Sequence, residues 1–189
     1  MTAQLSIDSP ITFAKATHQD LELMTAWWKE RPHIVEFWDN SPEMWQNCYD
    51  YLHGKKDEFD YWIASYNGVP FALVMSSSIT EYVTEQTAKG NAQNWFAFIP
   101  KEGLIVGFDF MIAEPAYLAR GLAPQTLKSF MEFLSSTHPE IFGFYIDPEV
   151  DNTKAVKAYS QAGFEIAGTY TRDCGTHKDA PHYAMIRFA

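Results

Sequence analysis

Leu104-Ile105-Val106-Gly107-Phe108-Asp109-Phe110-Met111 leads into Tyr117-Leu118-Ala119-Arg120-Gly121-Leu122-Ala123, and Gly121 to Ser136 then follows as an amphipathic run. These segments read as a strand, a tight turn and a helix. Alternation puts Val106, Phe108 and Phe110 on one strand face, and Ile105, Gly107, Asp109 and Met111 on the other. In the helix, Leu127, Phe130, Met131 and Leu134 recur at i, i+3, i+4 and i+7. A turn with Gly and small residues that opens a helix offers unpaired backbone N–H groups at the positive end of the helix dipole. Such a turn binds a pyrophosphate through local, neutral donors. A charged Asp109 in the middle of so apolar a strand needs a partner or a task.

Working outward, Ile141 to Ile146 reads as a strand. Asn152 to Ala162 reads as a helix capped by Asp151 or Asn152 and stopped by Gly163. Phe164 to Tyr170 and His182 to Phe188 close the chain as strands. On the N-terminal side, Ile11 to Lys15 is a strand, and Thr17 caps a helix that Arg31-Pro32 ends. A second helix starts near Ser41-Pro42-Glu43 and runs to about Leu52. Tyr61 to Tyr66 and Val69 to Met75 flank Asn67-Gly68, a hairpin signal because both turn positions favour positive φ. The aromatic run Trp95 to Ile99 reads as a further strand. Ser76 to Asn94 is polar and takes no assignment, loop or partly helical insertion. The order β-α-α-β-β-β-β-α-β-α-β-β predicts a single α+β domain over residues 1–189, with a central mixed, mostly antiparallel sheet flanked by helices.

Composition narrows the function. The chain has 189 residues, of which 47% are hydrophobic and 20% charged, which excludes disordered and coiled-coil classes. A net charge of −10 disfavours nucleic acid and anionic membranes and suits a cationic small molecule. Cys48 and Cys174 form no CxxC pair, and none of His18, His33, His53, His138, His177 and His182 has ligand spacing, so no disulfide framework and no metal are expected. These histidines read as surface or packing residues. Met1 to Pro10 has neither a basic region nor an apolar core, and no apolar run reaches membrane-span length. A cytoplasmic protein is the expectation. The sequence leaves the oligomeric state open.

Asp151-Asn152-Thr153-Lys154-Ala155-Val156-Lys157-Ala158-Tyr159-Ser160-Gln161-Ala162-Gly163-Phe164 resembles a segment of the GNAT superfamily of N-acetyltransferases, which has Asn, Ala, Tyr and Gly-Phe in this order. The turn before the long helix resembles the family's pyrophosphate loop. Gly121 and Ala123 fit its pattern, and Leu118 replaces the usual Gln or Arg. His33-Ile34-Val35-Glu36-Phe37-Trp38, Gly107-Phe108-Asp109, Leu118-Ala119-Arg120-Gly121-Leu122 and Asp147-Pro148 are similar to aminoglycoside 6′-N-acetyltransferases. The related siderophore-type acyltransferases commonly have His where this chain has Asp109.

The resemblance implies acetyl transfer from acetyl-CoA to an amine, with no metal. It implies Asp109 as base or proton relay and Tyr159 as acid toward the CoA sulfur. By the same likeness, Met111 and Ile112 would pair their backbone with pantetheine, and Asn152 would contact the pantetheine arm. Arg120, Gly121, Leu122, Ala123 and Pro124 would cradle the pyrophosphate, although Pro124 has no N–H to give. Substrate-side matches are Trp38, Asp39, Glu102, Asp147 and Asp179, since acids bind ammonium groups and indole faces attract cations. Trp27 and Trp28 read as core. The implied partner is a small cationic amine, aminoglycoside-like. The alternatives are a siderophore precursor, a polyamine or another metabolite amine and, in a different class, a non-catalytic acyl-CoA-binding module.

Overall fold

The structure is a computed structural model and describes residues 10–35, 38, 41–55, 58–173 and 177–189. Among the described residues, seven strands lie in the order β1-β2-β3-β4-β5-β7-β6, where β1 is Ile11–Lys15, β2 Asp60–Tyr66, β3 Val69–Ser78, β4 Leu104–Ile112, β5 Ile141–Ile146, β6 Glu165–Thr171 and β7 Pro181–Phe188. The helices are α1 (Leu21–Glu30), α2 (Pro32–Val35), α3 (Pro42–Leu52), α4 (Ile79–Ala88), α5 (Leu122–Thr137) and α6 (Thr153–Gln161). The β4–β5 pair is parallel; β1–β2, β2–β3, β5–β7 and β6–β7 are antiparallel. The expected α+β class and mixed, mostly antiparallel sheet are therefore found. The described chain forms two compact units.

The N-terminal unit comprises Pro10–Ser76 and Asp109–Arg120. A capping box closes between Thr17 and Asp20 and starts the first helical turn, as the sequence suggests. The Asn67-Gly68 turn has φ of 50° and 79°, which gives β2 and β3 the predicted tight hairpin. Ser41 caps α3 by accepting from the Met44 N–H at 3.1 Å. Met24, Trp27, Trp28, Cys48, Tyr61, Leu73, Met75 and Met111 make one buried cluster. Trp27 and Trp28 are core residues, as read from the sequence.

The C-terminal unit contains Ser77–Phe108 and Gly121–Ala189. Leu127, Phe130, Met131 and Leu134 form the buried face of α5, the predicted stripe. Phe108 packs its ring against Phe130, Phe144 and Phe164, with centroids 5.4, 5.4 and 6.2 Å away. A separate cluster holds Ile99, Ile105, Tyr145, Tyr170, Ala184 and Ile186, against which Ile79, Val83, Trp95 and Phe98 pack. This is the alternation predicted for β4, with Phe108 and Ile105 serving different cores.

Two segments differ from the sequence reading. Trp95 to Ile99 is no strand: Asn94–Phe98 is a 3-10 helix. Its aromatic residues cover side chains of the sheet instead of joining a ladder. Trp95 stacks on Tyr145 at 5.5 Å, and a Cβ at Gly168 would overlap the Phe98 ring. The unassigned Ser76–Asn94 stretch completes β3 and then forms α4, which Ser78 caps by accepting from the Glu81 N–H at 3.3 Å. Ile79 at its start occupies the space over Gly107 that a side chain would need.

Candidate active site

In the C-terminal unit, Gly121 is the N-cap of α5 with φ 71° and ψ 14°, a left-handed conformation that glycine adopts without strain. A Cβ there would meet nothing within 4 Å, so the approach to the backbone is open. Leu122 and Ala123 bring backbone N–H groups to the first helical turn, and Pro124 brings none. The donor set fits an anionic group, with one donor fewer than the turn could supply.

Asn152 caps α6 by accepting from the Ala155 N–H at 3.2 Å. This is the plain cap considered at the sequence level. Its amide N–H₂ donors are not used in that bond. Tyr159 lies on α6 and is 8% exposed, with its ring 6.4 Å from Phe164. The helix ends where Arg187 Nη1 donates to the Ala162 carbonyl at 2.7 Å. Seated in this way, α6 presents Tyr159 from a rigid element.

Asp147 follows β5 directly, and its carboxylate accepts the Tyr170 hydroxyl. His182 Nδ1–H donates to the Asp147 carbonyl at 2.8 Å. Burial, and next the charge of Asp147, push the Tyr145 and Tyr170 phenols well above the ordinary tyrosine range. The Tyr145 hydroxyl is buried beside the Tyr170 hydroxyl. Asp179 has φ 68° and is exposed in the turn between β6 and β7. That turn runs beside the segment after Asp147, as the Val150 N–H to Pro181 carbonyl bond at 2.9 Å shows. Glu102 is exposed before β4, where Leu104 pairs with Ile141 at the start of β5. Asp147 follows the other end of β5, about 20 Å from Ile141 at the usual rise per residue. The fold therefore brings Asp147 and Asp179 into neighbouring segments and leaves Glu102 apart.

In the N-terminal unit, Asp109 is exposed although Met111 is buried. The Ile112 carbonyl accepts from His33 Nε2 at 3.0 Å. Glu114 accepts from the Trp27 indole at 2.7 Å and from Arg31 at 3.1 Å. Burial alone would raise the Glu114 pKa, but these bonds and the charge of Arg31 outweigh it and hold the carboxyl below its ordinary value. The end of β4 is thus tied to Trp27, Arg31 and His33, a contact that the sequence reading of these residues did not anticipate. Trp38 is half-buried and packs edge-on to Trp28 at 5.7 Å. Asp39 lies outside the described residues. Arg120 holds its guanidinium 5.9 Å from the Tyr117 ring centre.

A family model described as an acetyltransferase (GNAT) domain matches residues 16–172. The chain belongs to the GNAT acetyltransferase family. It is 28% identical over 168 residues to an aminoglycoside N(6')-acetyltransferase type 1 of Klebsiella pneumoniae, which covers 87% of this chain and 79% of that one. The crystal structure of aminoglycoside N(6')-acetyltransferase from Legionella pneumophila superposes with a TM-score of 0.74 at 24% identity, over 98% of this chain and 95% of that one. The structure of AAC(6')-Ib with coenzyme A and kanamycin gives 0.72 at 27% identity, over 94% of each chain. This GNAT chain is an acetyl-CoA-dependent N-acetyltransferase. That sets aside the non-catalytic binding module.

Proposed function

We propose that this N-acetyltransferase transfers acetyl to a primary amine of a small, cationic, aminoglycoside-like acceptor. The observation that carries the reading is the likeness, over 94% of both chains, to an enzyme solved with coenzyme A and kanamycin. The net charge of −10 favours the same class of acceptor.

The chemistry follows from the groups present. An ammonium cannot attack until it loses a proton, and Asp109 takes or relays that proton. The amine lone pair then attacks the thioester carbonyl carbon. As the C–S bond breaks, the Tyr159 phenol gives its proton to the leaving sulfur. The products are an amide and the free CoA thiol; Tyr159 regains a proton from solvent and Asp109 releases one to it. Met111 and Ile112 hold the pantetheine through their backbone, with Asn152 contacting the same arm. Arg120, Gly121, Leu122 and Ala123 hold the pyrophosphate, and Pro124 shapes that turn without donating. Trp38, Asp39, Asp147 and Asp179 receive the acceptor. Glu102, a strand length from Asp147, is outside this set.

A second reading is another metabolite amine, such as a siderophore precursor or a polyamine. It draws support from α4, whose Ile79 covers the Gly107 face of β4. Acetyl-CoA with kanamycin or tobramycin, against lysine, hydroxylysine and spermidine, tests the two by thiol release. The highest kcat/KM should belong to the aminoglycosides. Faster turnover of spermidine or hydroxylysine would replace the first reading with the second.

A further inference from the structure

Residue 147 is held at two points by two stacked rings. The Tyr170 hydroxyl donates to Oδ2 of the Asp147 carboxylate, and His182 Nδ1–H donates to the Asp147 backbone carbonyl at 2.8 Å. The Tyr170 and His182 rings stack with centroids 5.7 Å apart at 26°. Phe98 packs on Tyr170 at 6.3 Å. Tyr170 is 6% exposed and His182 3%, whereas Asp147 is only half-buried. Both donating rings are thus buried, and the residue they hold is half-buried.

Burial and the charge of Asp147 keep the Tyr170 phenol protonated, so it is a neutral donor through the working pH range. A carboxylate offers about four lone-pair directions, and Tyr170 uses one. An Asp side chain without this anchor would sample several rotamers and lose entropy on meeting a cation.

We infer that Tyr170 is a positioning residue for acceptor recognition: braced by His182 and Phe98, its hydroxyl fixes the Asp147 carboxylate so that the remaining lone pairs meet an ammonium group of the acceptor. The inference rests on the proposed cationic acceptor and on Asp147 as one of its contacts. Tyr145, two residues before Asp147, is buried beside the same Tyr170 hydroxyl.

Steady-state kinetics with acetyl-CoA and kanamycin tests the clamp. Tyr170→Phe keeps the stacked ring and removes only the hydroxyl. It should raise KM for kanamycin about fivefold to tenfold, the loss expected from one charge-assisted hydrogen bond. Its kcat should stay within about twofold and KM for acetyl-CoA should not change, a split that general loosening of the fold would not give. In an Asp147→Asn background the same change should add nothing. An unchanged KM in Tyr170→Phe, or a full additive loss in the Asp147→Asn background, would overturn the clamp. Asp147→Asn keeps an acceptor for the hydroxyl while deleting the charge, so an unchanged KM there overturns it even if Tyr170→Phe does not fold. Wild-type protein that acetylates no cationic amine would overturn the proposed function and the clamp with it. Wild-type turnover with unaltered variants overturns the clamp alone.

Discussion

The indole of Trp27 donates to the Glu114 carboxylate at 2.7 Å, joining α1 to the segment that follows β4. Trp27 is fully buried, and Arg31 shares the same carboxylate. Removing the acceptor would strand a buried donor and part of a guanidinium. Glu114→Ala should therefore destabilise the protein by about 2–3 kcal/mol. Glu114→Gln, which keeps an acceptor oxygen, should cost less. Because the folded pKa of Glu114 lies below its unfolded value, this contribution is complete above the unfolded value and is lost progressively as pH falls from there through the folded one. Urea denaturation of the wild type and both variants at pH 7 and pH 4 checks the ranking. The gap between wild type and Glu114→Ala should narrow at the lower pH.

Tyr145 and Tyr170 should make the stability fall at alkaline pH. Both phenols are raised by burial first and by Asp147 second. An unfolded chain releases these protons near pH 10, while the folded protein keeps them. The stabilisation is complete below pH 10 and declines above it, by about 1.4 kcal/mol per pH unit for each tyrosine. Thermal melts between pH 9 and pH 11 should show the decline, and Tyr145→Phe should flatten it. A melt that is flat across this range in the wild type would show that the two phenols titrate normally.

Gly107 and Ile79 fit together at the start of α4. A Cβ at residue 107 would overlap the Ile79 side chain. Gly107→Ala should cost about 1–3 kcal/mol through overpacking. Shortening the neighbour in Gly107→Ala/Ile79→Ala should recover part of the loss, and a double-mutant cycle reads this coupling. Additive losses would place the strain elsewhere.

Asp109 and Tyr159 carry the proton transfers in the proposed reaction. Asp109→Asn should cut kcat at least about tenfold, within the range for a lost general base, with little change in KM for acetyl-CoA. Tyr159→Phe should slow transfer where thiolate departure limits the rate. Pre-steady-state release of free thiol separates these effects. A silent Asp109→Asn variant would remove that residue from the chemistry.

The chain's own pattern was enough for most of the scaffold. Local rules act within a few residues, and they governed the Thr17 capping box, the Asn67-Gly68 turn, the α5 stripe and the Asn152 cap. A local signal also existed for α4: Ser78 followed by Glu81 is a capping-box pattern, and Gly90 with φ 80° ends the helix. It is masked by Thr80, Val83, Thr84 and Thr87, whose β-branched side chains weaken the helical reading. At Trp95 to Ile99 the reverse occurred. Aromatic residues that favour strands pack instead on Tyr145 and Tyr170, side chains of β5 and β6.

Read alone, the sequence determined the α+β class, the order of nearly all elements and the family, because periodicity, caps and motif spacing are written in neighbouring residues. Only the folded chain decided that His33 holds the Ile112 carbonyl, that Trp27 and Arg31 hold Glu114, and that Tyr170 and His182 grip residue 147. Each of these bonds joins residues from 23 to 87 positions apart. A side chain carries no record of a partner so distant, since the pairing depends on where the strands and helices come to rest.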